Sequence, residues 1–185
     1  MSDFRLFFDL GWGHIMNLEA ADHILFLLAL IMIFSFKDWR KVLLMVSFFT
    51  LAHTASMAAL AFGLIKVQTH WVEVGIMLTI IITAISNLIS RSAGWHIAFS
   101  FLFGLIHGLG FAHSFVLMSR TYGEKWLLLL AFAAGIEAAQ IVLIILFLSI
   151  LWVLRKPMKI SEKILTVALS FFILGYSLSL LLERI

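Results

Sequence analysis

The chain has 185 residues, of which 63% are hydrophobic and 12% are charged, and its formal net charge is +3. A soluble domain is only about 45–50% apolar, so the composition excludes a soluble domain and indicates an integral membrane protein. A small positive charge is typical of a membrane protein with basic cytoplasmic loops, and it gives no indication of nucleic-acid binding. Because the sequence contains no cysteine, disulfides and thiolate metal sites are excluded.

The segment before the first apolar block, residues 1–19, carries Asp3, Arg5 and Asp9. A secretory signal would begin with a net basic segment, so this stretch is interpreted as part of the mature protein. We expect it to form an interfacial turn or short helix.

Apolar blocks long enough to cross the hydrocarbon core as α-helices follow. The six predicted spans are residues 20–36, 42–65, 71–90, 95–118, 126–154 and 160–182. The breaks between them are short, so consecutive helices are expected to be antiparallel neighbours. The sequence therefore predicts an all-α polytopic membrane helix bundle, with residues 1–185 forming a single transmembrane domain.

Lys and Arg are distributed unequally between the two sides of this bundle. The loops after the first, third and fifth helices hold eight of them: Lys37, Arg40, Lys41, Arg91, Arg155, Lys156, Lys159 and Lys163. The opposite side holds five: Arg5, Lys66, Arg120, Lys125 and Arg184. Since translocated loops avoid these residues, both termini are expected outside the cytoplasm, with the protein in a bacterial cytoplasmic (inner) membrane.

Several ionisable side chains lie within the predicted helices, where each costs at least about 2.5 kcal/mol at a helix centre on insertion scales. At about 1.5 Å rise per residue, His53, His107 and Glu137 come near the membrane midplane. A second group is expected in the outer third: Asp22, His23, Glu73 and His113. This concentration in one half of the membrane predicts a single shared polar cavity.

The adjacent pair Asp22 and His23 cannot point in one direction on a regular helix, where neighbours are about 100° apart. We therefore expect the helix to begin at this pair. His14, in the glycine-flanked stretch "GWGH", is expected to fold back toward His23.

Imidazole and carboxylate without thiolate suit divalent transition metals, above all nickel, cobalt or zinc. A bound cation would also compensate buried charges that otherwise lack a partner. The candidate metal ligands are His14, Asp22, His23, His53, Glu73, His107, His113 and Glu137.

Other polar residues have simpler interpretations. Any one membrane histidine can serve as a hydrogen-bonding group between helices. We interpret two others as interfacial, because they lie beside tryptophans at helix ends: His70 beside Trp71 and His96 beside Trp95. Glu19 is interpreted as a solvated residue at a helix start. A polar stripe on the third predicted helix could release a cation inward; it consists of Thr79, Thr83, Ser86, Asn87 and Ser90.

Five segments, in this order, carry a family resemblance: "GWGHIMNLEAADHILFLLAL", "FFTLAHTASMAAL", "WVEVGIMLTIIITAISNL", "FGLIHGLGFAHSF" and "GIEAAQ". They resemble the HupE/UreJ family of small membrane proteins, which is linked to nickel supply for hydrogenase and urease. The resemblance implies transition-metal binding by the residues at its motif positions: His14, Asp22, His23, His53, Glu73, His107 and Glu137. His14 precedes Asp22 by eight positions, where the family pattern usually has six, and this variant spacing bears on which metal is bound.

Three functions are compatible with these patterns. The first is a metal-ion permease, in which the cation enters past Asp22, His23 and Glu73 and is then held by the midplane residues. The second is an intramembrane metallohydrolase, in which zinc activates a water molecule and a metal-free glutamate acts as general base. The third is a metal-binding accessory protein without transport. The expected partners are the metal ion and the lipid bilayer, and a homo-oligomer is compatible with the sequence.

Overall fold

A computed structural model describes residues 2–18, 21–89 and 93–185. Three residues discussed above lie outside the described residues: Glu19 at a predicted helix start, Ser90 in the predicted polar stripe and Arg91 in a basic loop. The described residues form seven α-helices: α1 (Asp3–Met16), α2 (Asp22–Ile31), α3 (Trp39–Ala61), α4 (Thr69–Ile89), α5 (Ala93–Ser119), α6 (Lys125–Arg155) and α7 (Glu162–Arg184).

Helices α3 to α7 are the five that are long and apolar enough to cross a membrane. Tryptophans close to their ends are exposed, as an aromatic belt at the membrane surface requires; they are Trp39, Trp71, Trp95, Trp126 and Trp152. The predicted all-α membrane helix bundle is confirmed, and the protein is a multi-pass membrane protein.

The first span differs from its prediction. Residues 20–36 were expected to form one transmembrane helix, but α2 has only 10 residues. A short 3-10 helix at Phe36–Asp38 separates it from α3. At 1.5 Å per residue, α2 is about 15 Å long, half the thickness of the hydrocarbon core.

Helix α1, within the segment 1–19, precedes α2 and packs one face against the bundle. Its residues Phe7, Gly11 and Ile15 are spaced by four positions and are buried. A Cβ atom at Gly11 would lie 2.1 Å from the carbonyl oxygen of Phe132 on α6. Glycines at such crossings let helix backbones approach closely, so α1 packs directly against α6.

Together α1 and α2 connect the two ends of the bundle. At one end, here called the Gly123 end, the backbone N–H of Gly123 donates to the carboxylate oxygen Oδ2 of Asp3 at 3.3 Å. At the other, the Arg155 end, Nη1 of Arg155 donates to the carbonyl oxygen of Phe34 at 2.6 Å. These two contacts lie at opposite ends of α6, so α1 and α2 cover its length in succession. Since α1 ends at Met16 and α2 begins at Asp22, two short helices in succession, here called the broken first span, run between the two ends of the bundle.

The C-terminal end of α2 has unpaired backbone carbonyls, as every helix end does. Nδ2 of Asn87 on α4 donates to the carbonyl oxygen of Ala29 at 2.7 Å. The guanidinium of Arg155 donates to the carbonyl oxygens of both Met32 and Phe34. A cation at the C-terminus of a helix is also favoured by the helix dipole. Side chains from α4 and α6 therefore hold the end of this short helix in place.

Helices α3 and α5 run parallel and pack at glycine contacts. A Cβ atom at Gly104 would lie 2.6 Å from the carbonyl oxygen of Phe49, and one at Gly108 would lie 2.1 Å from that of His53. The sequence spacing Gly-x-x-x-Gly therefore marks a close helix crossing, as it does in other membrane bundles. This crossing brings α3 and α5 together at the level of His53.

Both termini lie at the same end of the bundle. Helix α7 begins beside the end of α4, where Lys163 and Asn87 line one cleft. It then runs back along α4 toward the Gly123 end, where α1 begins.

Candidate metal centre

Three histidines from three different helices meet where the first span is broken. His14 near the end of α1, His23 at the start of α2 and His53 on α3 each offer one ring nitrogen, and these atoms lie within 4.8 Å of one another. The ring centroids of His14 and His23 are 4.5 Å apart, and His53 lies 5.9 and 6.0 Å from them. This separation allows three nitrogens to reach one metal ion after small side-chain adjustments.

Asp22 orients the imidazole of His23. Nδ1 of His23 donates to Oδ1 of Asp22 at 3.0 Å, and the same oxygen accepts the backbone N–H of His23 at 2.9 Å. The other ring nitrogen, Nε2, is buried and has no hydrogen-bond partner. Because Nδ1 carries the proton, Nε2 has a free lone pair, which is the carboxylate–histidine arrangement that supports metal ligands in proteins. The prediction that the helix begins at this pair is confirmed, since α2 starts at Asp22.

Thr79 orients His107 in the same way. The Thr79 hydroxyl donates to the carbonyl oxygen of Ile76 at 2.7 Å, so it accepts from Nε2 of His107, which lies 2.9 Å away. This assigns the proton to Nε2 and leaves Nδ1 of His107 with a free lone pair and no partner. The His107 ring lies 5.2 Å from that of His23, so a fourth imidazole adjoins the cluster.

The cluster is surrounded by aromatic rings. Phe111 lies 4.4 Å and Phe132 lies 5.7 Å from the His14 ring. Phe26 and Phe49 lie 5.0 and 5.4 Å from the His107 ring. An apolar shell limits water access and lowers the local dielectric, which strengthens the interaction of a cation with its ligands.

Unpaired nitrogens are concentrated in this cluster. Among the described residues, buried ring nitrogens without a hydrogen-bond partner are His14 Nε2, His23 Nε2, His53 Nδ1 and Nε2, and His107 Nδ1. A buried polar atom left unpaired costs about 1–3 kcal/mol. A cation that accepts nitrogen lone pairs would satisfy several of these atoms at once, and an all-imidazole set suits zinc, nickel, cobalt or copper.

Asp22 and His23 lie at the level of His53 and His107, because α2 begins at Asp22, beside the histidines of α3 and α5. His14, Asp22, His23, His53 and His107 therefore lie together at a single level of the bundle.

Three predicted site residues lie outside the cluster. Oε1 of Glu137 accepts a hydrogen bond from the Ser47 hydroxyl at 2.5 Å, and Ser47 precedes His53 by six residues, about 9 Å along α3. Glu73 is half-buried about 9 Å from Thr79 along α4, toward the Gly123 end, and His113 is exposed about 9 Å beyond His107 along α5. Depth along a helix does not specify which neighbour a side chain faces, so a role for these three residues in metal binding stays a prediction.

His96 was interpreted as interfacial, and this was wrong. It is fully buried, and its Nε2 donates to Oδ1 of Asn87 at 2.8 Å. The pairing joins α4 and α5, and no spacing within one helix signals it. His70, by contrast, is exposed beside Trp71.

Comparison with known proteins identifies the family of this chain. The family model described as "HupE / UreJ protein" matches residues 1–184. No curated protein and no solved structure gives a significant match. The match covers essentially the whole chain, and it includes the helices that carry the histidine cluster. This multi-pass membrane protein therefore belongs to the HupE/UreJ family.

Proposed function

We propose that this protein binds a divalent transition-metal cation at the histidine cluster and carries it across the bacterial cytoplasmic membrane. The ligands are one ring nitrogen each from His14, His23 and His53, with His107 adjoining them. The cation is of the nickel, cobalt or zinc type. Asp22 and Thr79 hold two of the imidazoles in the tautomer that binding requires.

The observation that supports this proposal most strongly is the convergence of unpaired imidazole nitrogens from four helices. A histidine that only links two helices would have its nitrogens bonded to partners on those helices. His53 instead is fully buried with both ring nitrogens unpaired. Ionisable residues inside a membrane bundle are functional by default, and here a cation supplies the missing partner.

The broken first span favours transport over binding alone. In many transporters the substrate site lies near the midplane, where interrupted helices end and backbone dipoles point at the substrate. Here α1 ends and α2 begins beside the cluster. Two short helices can move separately on either side of the ion, and a continuous helix cannot.

Hydrolysis is less compatible with this geometry. A metallohydrolase needs a carboxylate free to accept a proton from the metal-bound water. Asp22 bonds His23, and Glu137, whose Oε2 has no partner among the described residues, lies at a different level of the bundle, where its Oε1 accepts from Ser47. We therefore place the hydrolase interpretation below transport.

The distribution of Lys and Arg between the two ends of the bundle indicates which end faces the cytoplasm. The Arg155 end carries the larger share of Lys and Arg and is assigned to the cytoplasm, so both termini lie outside. Glu73 and His113, on the Gly123 side of the cluster, are assigned to the outer entrance. Glu137 is not assigned to the metal centre.

The test uses purified protein in two formats. Equilibrium dialysis against zinc and against nickel should give one bound ion per chain, and His53→Ala should lower the affinity at least about tenfold because one ligand is lost. His70→Ala, the exposed control, should bind as the wild type does.

The same protein in liposomes containing a metal-sensitive dye should admit the ion that it binds. Binding that depends on His53 without any flux would replace the permease by the accessory function. Affinity that is unchanged in His53→Ala would overturn the metal centre itself.

A further inference from the structure

A buried polar stripe on α4 leads from the histidine cluster toward the Arg155 end. Thr79, Thr83 and Asn87 are spaced by four residues, so they share one helix face, and each is at most 2% exposed. Over these two turns the stripe is about 12 Å long. At its upper end Thr79 bonds His107, which adjoins the metal centre.

The lower end of the stripe is a junction between three helices. The Asn87 amide donates to the Ala29 carbonyl on α2 and accepts from His96 on α5. A buried threonine can satisfy its hydroxyl on its own helix, as Thr83 does with the Thr79 carbonyl at 2.8 Å. Asn87 instead takes both of these partners from neighbouring helices.

Beyond Asn87 the stripe reaches an open cleft. This cleft has a volume of about 320 Å³ and is lined by Asn87, Leu88, Ile89, Lys163, Thr166 and Val167. Asn87, the last residue of the stripe, is also a lining residue of this cleft. The three polar side chains of the stripe therefore lie in line between the metal centre and the cleft, and hydroxyl and amide groups solvate a moving cation better than Ile, Leu and Phe side chains do.

We propose that Thr79, Thr83 and Asn87 line the route by which the cation passes between the histidine cluster and the Arg155 end, with Asn87 as the constriction at the cleft. The inference rests on the proposed function, since it supplies that function with an inner pathway. It makes Asn87 a residue of the pathway and leaves the metal centre unchanged.

The first experiment compares flux and binding in two matched variants. Asn87→Leu replaces the amide by an apolar group of nearly the same shape, and Gln140→Met does the same to a buried amide on α6 that bonds Thr50. We expect Asn87→Leu to lower zinc flux into liposomes about tenfold or more, because the ion loses a polar group at the constriction. Zinc affinity in equilibrium dialysis should stay within about twofold of wild type in both variants, and Gln140→Met should keep wild-type flux.

The second experiment measures access without relying on transport. The chain has no native cysteine, so single cysteines can be introduced cleanly. Thr83→Cys should react with 2-aminoethyl methanethiosulfonate applied from the Arg155 side, and zinc should slow the reaction. Ala84→Cys, the neighbouring buried position on the same helix, should react at least about tenfold more slowly because an apolar environment disfavours the reactive thiolate.

These measurements separate the two proposals. Wild-type flux in Asn87→Leu, or equal reactivity at positions 83 and 84, would overturn the pathway while leaving the metal centre in place. If the wild-type protein binds no metal, the proposed function is overturned. If, in addition, Thr83→Cys reacts at a rate that zinc does not change, the stripe is a water path that carries no cation. If the wild type binds zinc without flux, the cysteine comparison alone decides whether the cluster is reached from the Arg155 end.

Discussion

Nδ1 of His23 lies 3.0 Å from Oδ1 of Asp22, and this contact leaves Nε2 as the only nitrogen of the ring available to a ligand. Adjacent residues at a helix start thus divide two tasks between them. The carboxylate orients the imidazole and fixes its tautomer, and the imidazole provides the lone pair.

Asp22→Asn tests this division. The amide has the size of the carboxylate but lacks its charge, so we expect zinc affinity to fall about 10- to 100-fold, the usual effect of losing a residue that orients a metal-bound histidine. Isothermal titration calorimetry of the detergent-solubilised protein measures it. Asp9→Asn, an exposed aspartate on α1, is the control. An affinity equal to wild type would show that Asp22 does not act through His23.

Two histidines on the sequence-predicted list should behave differently. His53 is fully buried in the cluster, whereas His113 is exposed on α5. We expect His53→Ala to abolish one-to-one nickel binding at micromolar protein and His113→Ala to change the affinity by less than about threefold, since an exposed residue outside the cluster provides no ligand. Equal losses in the two variants would place His113 in the metal centre after all.

Gly135 on α6 should be required for the position of α1. A Cβ atom there would lie 2.1 Å from the carbonyl oxygen of Phe8, while at Gly175 on α7 it would meet nothing within 4 Å. Overpacking of a helix contact costs about 1–3 kcal/mol. We therefore expect Gly135→Ala to lower the thermal midpoint in detergent by several degrees and to weaken metal binding, because α1 carries His14.

Gly175→Ala is the matched substitution, and it should leave both the thermal midpoint and the affinity at wild-type values. A thermal midpoint that falls equally in the two variants would show that the loss does not come from the contact with α1, because alanine has a higher helix propensity than glycine.

Arg155 should hold the end of α2. Its guanidinium donates to the carbonyl oxygens of Met32 and Phe34. Arg155→Gln removes the charge and one of the two donating arms, so we expect faster amide hydrogen exchange in the last turn of α2 and the segment that follows it. Lys156→Gln, at the exposed neighbouring position, should leave exchange unchanged. Protection that is the same in both variants would show that packing alone fixes this end of α2.

The bundle was predictable because each long helix has its own apolar block. Helices α3 to α7 all appear within a few residues of their predicted bounds. The first span was not predictable in the same way. Helix α1 carries aspartates and glycines, so its hydropathy is low, and its burial comes from the contact of Gly11 with α6.

The sequence identified the histidines of the cluster, but it did not specify which of the more distant carboxylates lie beside them. Asp22 and His23 are adjacent in the chain, so their contact is local. Glu137 was placed beside His53 by depth alone, and the structure pairs it with Ser47. The choice between these two neighbours depends on the rotation of α6 about its axis, which packing against α1 and α3 sets.

By itself the sequence determined that this chain is a membrane bundle and that imidazoles occur in the interior of its helices, because hydropathy and the fixed rise per residue act locally. Only the tertiary structure decided that the first crossing is broken at the cluster, which ring nitrogens lack partners and which carboxylates lie elsewhere. These properties depend on close backbone contacts between residues far apart in the chain, such as Gly135 with Phe8 and Gly108 with His53.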